Sequence, residues 1–269
     1  MNAIRRRVGA AVARYINAPV PGYVAYTPTN LDLLRQTLRP GDVVLCEGDR
    51  RLSQAIKYLT QSCWSHSALY VGPRVPLGHT SQGEPLDFIE ADVEKGVVAV
   101  PLSSYKGLNL RICRPVNVSI ADTEAVIRFA EMRLGSMYDR KAIFDLGRYL
   151  FPYPPVPAFV RRRMLAIGAG DPTKFICSTL VAEAYRSIGY PILPNVKRAM
   201  VETDRAHEMI QSELVHIEKT TYFVPKDFDV SPFFAVVKPT IEHGFDYRAM
   251  RWADGHVPEE ASSNKPEHV

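Results

Sequence analysis

A run of ten residues from Cys63 to Gly72, CWSHSALYVG, has the composition of a buried β-strand and yet contains a histidine. The run ends in leucine, tyrosine and valine before its glycine, and β-branched and aromatic residues are enriched in strands. An ionisable imidazole is unusual there, because burying a polar group without a partner costs free energy. The segment therefore predicts a core strand and raises the question of what His66 does in it.

Length and composition limit the class of protein. The chain has 269 residues, of which 46% are apolar, so it can bury the core of one domain with extensions. Its net charge of +4 is too small to predict nucleic-acid binding. The four cysteines, at positions 46, 63, 113 and 177, are too widely spaced for a zinc knuckle or a disulfide framework. We expect reduced thiols, no metal site and no cofactor.

The sequence also bears on location. No run approaches the ~20 apolar residues of a membrane span. The N-terminal segment is basic, but its apolar part is short and is interrupted by Arg14, which argues against a cleaved signal peptide. We expect a cytoplasmic protein, with peripheral association with a membrane as a further hypothesis.

Three regions are predicted. Residues 1–22 form a basic helical arm that ends at the prolines and glycine of NAPVPG. Residues 23–240 form the main domain, which contains a Pro- and Arg-rich insertion at 149–172, and residues 241–269 form a polar tail.

Short strands grouped around a few helices predict an α+β fold, because regular βαβ alternation is absent. Strands are predicted in RPGDVVLCEG, CWSHSALYVG, DFIEAD, GVVAVPL, LRICRPV and SPFFAVVKP, and the third to fifth of these are spaced as in an antiparallel meander. Helices are predicted in RLSQAIKYLTQS, in SIADTEAVIRFAEMRLGSMYD and in CSTLVAEAYRSIGYP. The second helix carries an apolar stripe of Val126, Ile127, Ala130 and Leu134.

Cys177 is the first residue of the strongest predicted helix, in which Leu180, Val181, Ala184 and Ile188 recur with helical period. A cysteine at a helix N-terminus is favoured as the thiolate by the helix dipole and by unpaired backbone N–H groups. Cys63 is a competing nucleophile, but it precedes a strand and no helix dipole would activate it.

His66 is the one histidine embedded in a strong strand pattern, and it is the candidate base for Cys177. A third polar group usually fixes the imidazole tautomer, and Glu90 is the first candidate, with Asp92 on the same strand face as the alternative. Cys177 and His66 also have a structural interpretation. A helix cysteine is commonly a small core residue, and a strand histidine is commonly a core group with satisfied hydrogen bonds.

Four segments in order, PGDVVLCEG, WSHSALYVG, FIEADVEKGV and FICSTLVAEAYRSIG, resemble the circularly permuted papain-like amidases, also called YiiX-like, among the NlpC-type cysteine hydrolases. The closing VPKDFDVSPFFAVV is also similar, and the resemblance covers about residues 39–238. It implies a permuted papain-like fold, with an antiparallel sheet or small barrel packed against helices.

The resemblance also implies roles for individual residues. Cys177 would be the nucleophile, His66 the base and Glu90 the orienting acid, and Tyr138 would line the oxyanion hole. The long insertion between Tyr138 and Cys177 departs from shorter relatives, so no substrate is transferred from them.

Three functions follow as hypotheses. The first is a cysteine hydrolase of amide or ester bonds in a small-molecule, peptidyl or acyl-chain substrate, acting through an acyl-enzyme. The second is an acyltransferase of the lecithin:retinol acyltransferase-like type, in which an amine or alcohol replaces water. The third is a non-catalytic module that binds lipid or peptide or serves as a scaffold at a membrane surface.

The insertion generates a prediction about membranes. It places aromatic residues such as Phe151 and Phe159 beside Arg161, Arg162 and Arg163, a composition that suits the boundary between lipid headgroups and acyl chains. The protein should co-sediment with vesicles that contain phosphatidylserine, and binding should weaken with salt. Changing the three arginines to glutamate should release it. Equal recovery in the supernatant with and without anionic vesicles would contradict the prediction.

Overall fold

The computed structural model of the protein describes residues 18–23, 27–92, 95–136, 177–193, 195–202, 209–216, 223–244 and 246. Its helices are α1 (Leu31–Thr37), α2 (Arg51–Thr60), α3 (Ile120–Glu131), α4 (Cys177–Ser187), α5 (Pro225–Asp229) and α6 (Pro239–Glu242). Its strands are β1 (Val43–Glu47), β2 (His66–Tyr70), β3 (Phe88–Asp92), β4 (Gly96–Val100), β5 (Asn109–Pro115), β6 (Asn195–Glu202), β7 (Met209–His216) and β8 (Phe234–Val237). Two short 3₁₀ helices span Val75–Leu77 and Leu102–Tyr105.

The predicted α+β class is confirmed. Six antiparallel strands form one sheet in the order β4-β3-β2-β1-β5-β8, and β6 pairs with β7 in a separate two-stranded sheet. Within the described residues the six-stranded sheet is open, with β4 and β8 at its edges, so the alternative of a small barrel is not what forms.

The predicted meander is only partly correct. Strands β3 and β4 pair as expected, but β5 does not pair with β4. It lies between β1 and β8 in the strand order and pairs with both. The residues of β1 from Val43 to Cys46 are buried, and a buried strand needs backbone partners on both edges. Strand β2 pairs with one edge of β1, and β5 supplies the other.

One face of the sheet is covered by α3 and α4. Leu180 and Val181 of α4 belong to the same buried cluster as Leu69 of β2 and Ile89 of β3, and α4 packs against both strands. This cluster accounts for the helical period that the sequence shows at Leu180, Val181 and Ala184.

The opposite face is covered by α1 and by the 3₁₀ helix that ends at Tyr105. Here Ala68 and Tyr70 of β2 and Phe88 of β3 pack with Leu34 and Tyr105. Helix α1 was not predicted, although its sequence carries a capping residue: the Asn30 side chain accepts hydrogen bonds from the backbone N–H groups of Asp32 and Leu33.

The apolar stripe of α3 is shorter than predicted. Val126, Ile127 and Ala130 are fully buried, but the helix ends at Glu131 and Leu134 is 36% exposed. Because the chain turns after Glu131, Leu134 no longer continues the helical face, and the prediction that it shares the stripe is wrong.

Several predicted regions lie wholly or mainly outside the described residues. These are residues 1–17 of the arm, all of the insertion 149–172 and nearly all of the tail after residue 244. Ala18 and Val20 bond with the backbone of Arg51 and Asp49, which ties the end of the arm to the start of α2. None of the helices described is long and apolar enough to cross a membrane.

A buried ion pair joins Asp42, just before β1, to Arg114 of β5. The Asp42 carboxylate is 1% exposed and accepts hydrogen bonds from Arg114 Nε and a terminal Arg114 nitrogen at 2.8 Å each. The same guanidinium also donates to the carbonyl oxygen of Thr37, the last residue of α1, at 2.8 Å. Removing the arginine would leave a buried carboxylate without its ionic partner.

We predict that Arg114→Met lowers the free energy of unfolding by about 3–5 kcal/mol, the usual cost of breaking a buried ion pair. Urea unfolding would show this as a lower midpoint with an unchanged slope. Arg128→Met in α3 is the matched control, because Arg128 is exposed, and it should change stability by no more than about 0.5 kcal/mol. Equal losses in the two variants would contradict the role of the pair.

Candidate active site

The structure brings His66 and Glu90 into direct contact. His66 begins β2, and Glu90 of β3 is the register partner of Ala68, which lies two residues further along the same face. The glutamate side chain spans this diagonal, and its Oε2 lies 2.8 Å from His66 Nε2. An imidazole and a carboxylate at this separation form a charge-assisted hydrogen bond.

A third side chain, that of Tyr105, completes the group. Its hydroxyl donates to Glu90 Oε2 at 2.5 Å, so one carboxylate oxygen receives bonds from both the imidazole and the phenol. Tyr105 ends a 3₁₀ helix, and its ring packs edge-to-face on Phe88 with centroids 5.1 Å apart. The phenol is thereby held over β3 by apolar packing.

The surroundings fix the protonation of two of these groups. Burial would raise the pKa of Glu90, but the charge of His66 and the hydrogen bonds from His66 and Tyr105 outweigh it, so the pKa lies below its ordinary value. Burial, reinforced by the charge of Glu90, raises the pKa of Tyr105 well above its ordinary value. At neutral pH the pair is therefore an ionised carboxylate and a neutral phenol.

The ionised carboxylate determines the tautomer of the imidazole. Glu90 can only accept hydrogen bonds, so His66 Nε2 must carry the proton that it donates. In the neutral imidazole the lone pair then lies on Nδ1. Nδ1 is thus the atom of His66 that can take a proton from a reacting group.

His66 and Glu90 line a cleft of about 350 Å³, a volume in the range of small-molecule sites. Its walls come from α2, from the loop before α2 and from the segment around Tyr105. The lining includes Gly48, Asp49, Arg50, Ser53, Asp92, Lys95, Tyr105 and Lys106. Gly48 allows the loop before α2 to pack closely against Ser53 and Ser65, because a Cβ at this position would lie 2.9 Å from Ser65 Oγ and nearer still to Ser53.

Cys46 lies on the same face of the sheet as His66. It is the cross-strand register partner of His66 in the β1–β2 pair, and both residues line the cleft. Side chains of directly opposed antiparallel residues have Cβ atoms roughly 5 Å apart. Cys46 is therefore a thiol beside the imidazole at the floor of the cleft, although it is only 1% exposed.

Cys177 is the first residue of α4, as predicted, and α4 packs against β2 and β3. The face that α4 covers is the one with Leu69 and Ile89, whereas His66 and Glu90 alternate with those residues and lie on the other face. The thiol of Cys177 is outside the described atoms. The structure thus brings together two of the three predicted triad residues, His66 and Glu90. The helix that begins with the third, Cys177, lies on the opposite face of the sheet.

The interface between α4 and β2 contains buried hydroxyl groups. Ser67, which lies on the α4 face, and Thr179, in the first turn of α4, are both buried, and within the described residues neither hydroxyl has a hydrogen-bond partner. Ser178 donates to the carbonyl oxygen of Phe223 at 2.7 Å, which anchors this turn. Buried hydroxyls without partners are uncommon in proteins and mark this turn of α4 as polar.

The remaining predicted residues are placed as follows. Asp92 lines the cleft, but it is Glu90 that bonds to His66. Burial and the charge of Glu47 raise the pKa of the exposed Cys63 thiol, which disfavours its thiolate. The residues proposed for the oxyanion hole and for membrane contact lie outside the described residues; they are Tyr138, Phe151, Phe159, Arg161, Arg162 and Arg163.

Sequence reasoning missed Tyr105 and Cys46 as members of the site. Strand alternation could have indicated Cys46. It lies two residues after Val44 on the same face of a predicted strand, and pairing of that strand with the strand of His66 would bring the thiol and the imidazole together. Tyr105 carried no such signal, because it lies in a short 3₁₀ helix between β4 and β5. Only the folding of that segment over β3 brings its hydroxyl to Glu90.

A metal-binding site is not found in the part of the chain that the structure describes: no group of three or more His, Cys, Asp or Glu side chains there has suitable geometry. No family model matches the sequence, and no curated protein does. Among solved structures, the chain is similar to the YiiX protein of Escherichia coli O157:H7, described as a metalloprotein. The identity is 16% and the TM-score 0.41, over 74% of this chain and 96% of that one. Values this low leave the assignment of the site to the residues themselves.

The depressed pKa of Glu90 makes a prediction about acid stability. A carboxyl whose pKa is lower in the folded state binds fewer protons there than in the unfolded chain, so its stabilising effect is present above its ordinary pKa and is lost as the pH falls through the folded value. Relative to Glu90→Gln, the wild-type protein should lose unfolding free energy as the pH falls below about 4.5. Urea unfolding between pH 3 and 7 would measure this. Parallel curves for wild type and Glu90→Gln would contradict it.

Proposed function

We propose that the protein is a cysteine-dependent hydrolase of amide or ester bonds in which His66 is the general base and Glu90 orients it. The observation that carries the proposal is the 2.8 Å contact between His66 Nε2 and the ionised Glu90, in a cleft large enough for a small substrate. The resemblance to permuted papain-like amidases supports the same class of reaction and, with it, a permuted papain-like arrangement of the α+β fold.

The chemistry has two halves. His66 Nδ1 takes the thiol proton, the thiolate attacks the carbonyl carbon, and a tetrahedral oxyanion forms. The oxyanion collapses to a thioester as the imidazolium gives its proton to the departing amine or alcohol. His66 then deprotonates a water molecule, which attacks the thioester, releases the carboxylic acid and restores the thiol.

Two thiols are candidates for the nucleophile. Cys177 is supported by the resemblance and by its place at the start of α4, where the helix dipole favours a thiolate. As the nucleophile, Cys177 would have to transfer its thiol proton to His66 from the other face of the sheet. Cys46 is supported by the described geometry, since it is the register partner of His66 and lines the same cleft. In both versions the base is the His66–Glu90 pair.

The acceptor and the site of action belong to the proposal as well. Replacing water by an amine or alcohol would make the protein an acyltransferase with the same first half-reaction. Attachment to an anionic membrane through Arg161, Arg162 and Arg163 would favour an acyl-chain substrate over a peptidyl one. Loss of all thiol reactivity at the site would instead favour the non-catalytic binding module.

Single-cysteine substitutions test the proposal. The protein is treated with a p-nitrophenyl ester and a peptidyl p-nitroanilide, and acylated cysteines are located by mass spectrometry. His66→Ala should lower kcat/KM by about 10²–10⁴-fold, the usual contribution of a general base. Either Cys177→Ser or Cys46→Ser should abolish both turnover and the acyl adduct, and that result identifies the nucleophile.

Cys63→Ser is the matched control, since Cys63 is exposed and its raised pKa disfavours reaction. It should retain wild-type turnover. The proposal is wrong if turnover survives both Cys46→Ser and Cys177→Ser, if His66→Ala leaves it unchanged, or if Cys63 carries the acyl group.

A further inference from the structure

Glu90 shares a single carboxylate oxygen between two donors from different parts of the fold. His66 Nε2 approaches Oε2 from β2 at 2.8 Å, and the Tyr105 hydroxyl approaches the same atom from the 3₁₀ helix at 2.5 Å. Each hydrogen bond withdraws electron density from the oxygen that the other donor needs. The two donors are therefore coupled through one atom.

We propose that Tyr105 is a positioning residue that acts through Glu90 to set the proton affinity of His66. The phenol stabilises the carboxylate and reduces the charge that Glu90 presents to the imidazole, so that the imidazole is less readily protonated. His66 then keeps the lone pair on Nδ1 at lower pH. The catalytic meaning of this inference rests on the proposed function, but the coupling itself does not.

The environment allows Tyr105 to act as a donor across the working pH range. Tyr105 as a residue is 3% exposed, and its ring lies against Phe88, which in turn packs on Tyr70 with centroids 5.1 Å apart. Burial raises the pKa of Tyr105, so the phenol keeps its proton. The hydroxyl thus remains a donor to a carboxylate that can only accept.

Other charged and titratable groups face the same cleft. They are Cys46 from β1, Asp49 and Arg50 from the loop before α2, Asp92 from β3, Lys95 after β3, and Lys106 after the 3₁₀ helix. Asp87, just before β3, adds to the rise in the pKa of Tyr105, and Lys95 lowers the pKa of Glu90. Removing the Tyr105 hydroxyl leaves all of these groups in place, so the variant isolates the hydrogen bond.

Tyr105→Phe retains the ring and removes the donor. The imidazole of His66, followed by NMR and assigned with His66→Gln, should titrate at higher pH than in the wild-type protein. If His66 is the base, kcat/KM for the p-nitrophenyl ester at pH 5.5 should fall about threefold to tenfold more than at pH 8, because more of the imidazole is protonated at the lower pH. A purely structural role of Tyr105 would lower kcat/KM equally at both pH values.

Two controls separate the coupling from a general disturbance of the fold. Tyr70→Phe removes a phenol oxygen from the same aromatic cluster without touching the Glu90 bond, and it should leave the His66 titration unchanged. In a Glu90→Gln background, Tyr105→Phe should produce no further shift, since the effect passes through the carboxylate.

The outcomes distinguish this inference from the proposed function. An unchanged His66 titration in Tyr105→Phe, or an equal shift in the Glu90→Gln background, overturns the inference. A shifted titration together with turnover that does not depend on His66 supports the coupling and refutes the hydrolase mechanism. A shift in both the titration and the acid side of the rate profile supports both.

Discussion

Successive side chains of β2 point to opposite faces of the sheet, and the arrangement of the candidate site depends on this alternation. His66 faces the cleft, and Ala68 and Tyr70 on the same face pack with Leu34 of α1. Ser67 and Leu69 lie on the face that α4 covers. A shift of one residue in the β1–β2 register would exchange the two sets and bury the imidazole under a helix. The register is fixed because the slipped pairing would place His66 among the apolar residues of the α4 face, away from Glu90.

The alternation explains how a histidine occupies a core strand without a large energetic penalty. His66 lies at the first position of β2, where the cleft keeps about a quarter of its side chain exposed, and Glu90 provides a charged partner. Glu90 itself is compensated by two donors, so its burial does not neutralise it. The result is a polar group of three side chains at the wall of the cleft, and its hydrogen bonds are strengthened by the partial burial of Glu90.

The same alternation separates the two candidate thiols. Cys46 lies beside His66 because they are register partners, and Cys177 begins a helix on the other face. The helix dipole would favour Cys177 as a thiolate, while proximity favours Cys46 as the proton donor to His66. Activation and proximity thus point to different residues, and the acyl adduct decides between them.

The sequence by itself determined the local elements and indicated His66 and Glu90 as candidate partners. Strand composition around His66, helical period after Cys177, and the position of Glu90 in a predicted strand are short-range patterns, and each depends on neighbours within about ten residues. What only the tertiary structure decided is how those elements meet. Pairing of β5 with β1, the side of the sheet that α4 covers, and the contact of Tyr105 with Glu90 all join distant segments. Such contacts depend on which segment covers each strand edge and each face of the sheet. The periodicity of residues along the chain does not specify which distant segment that is.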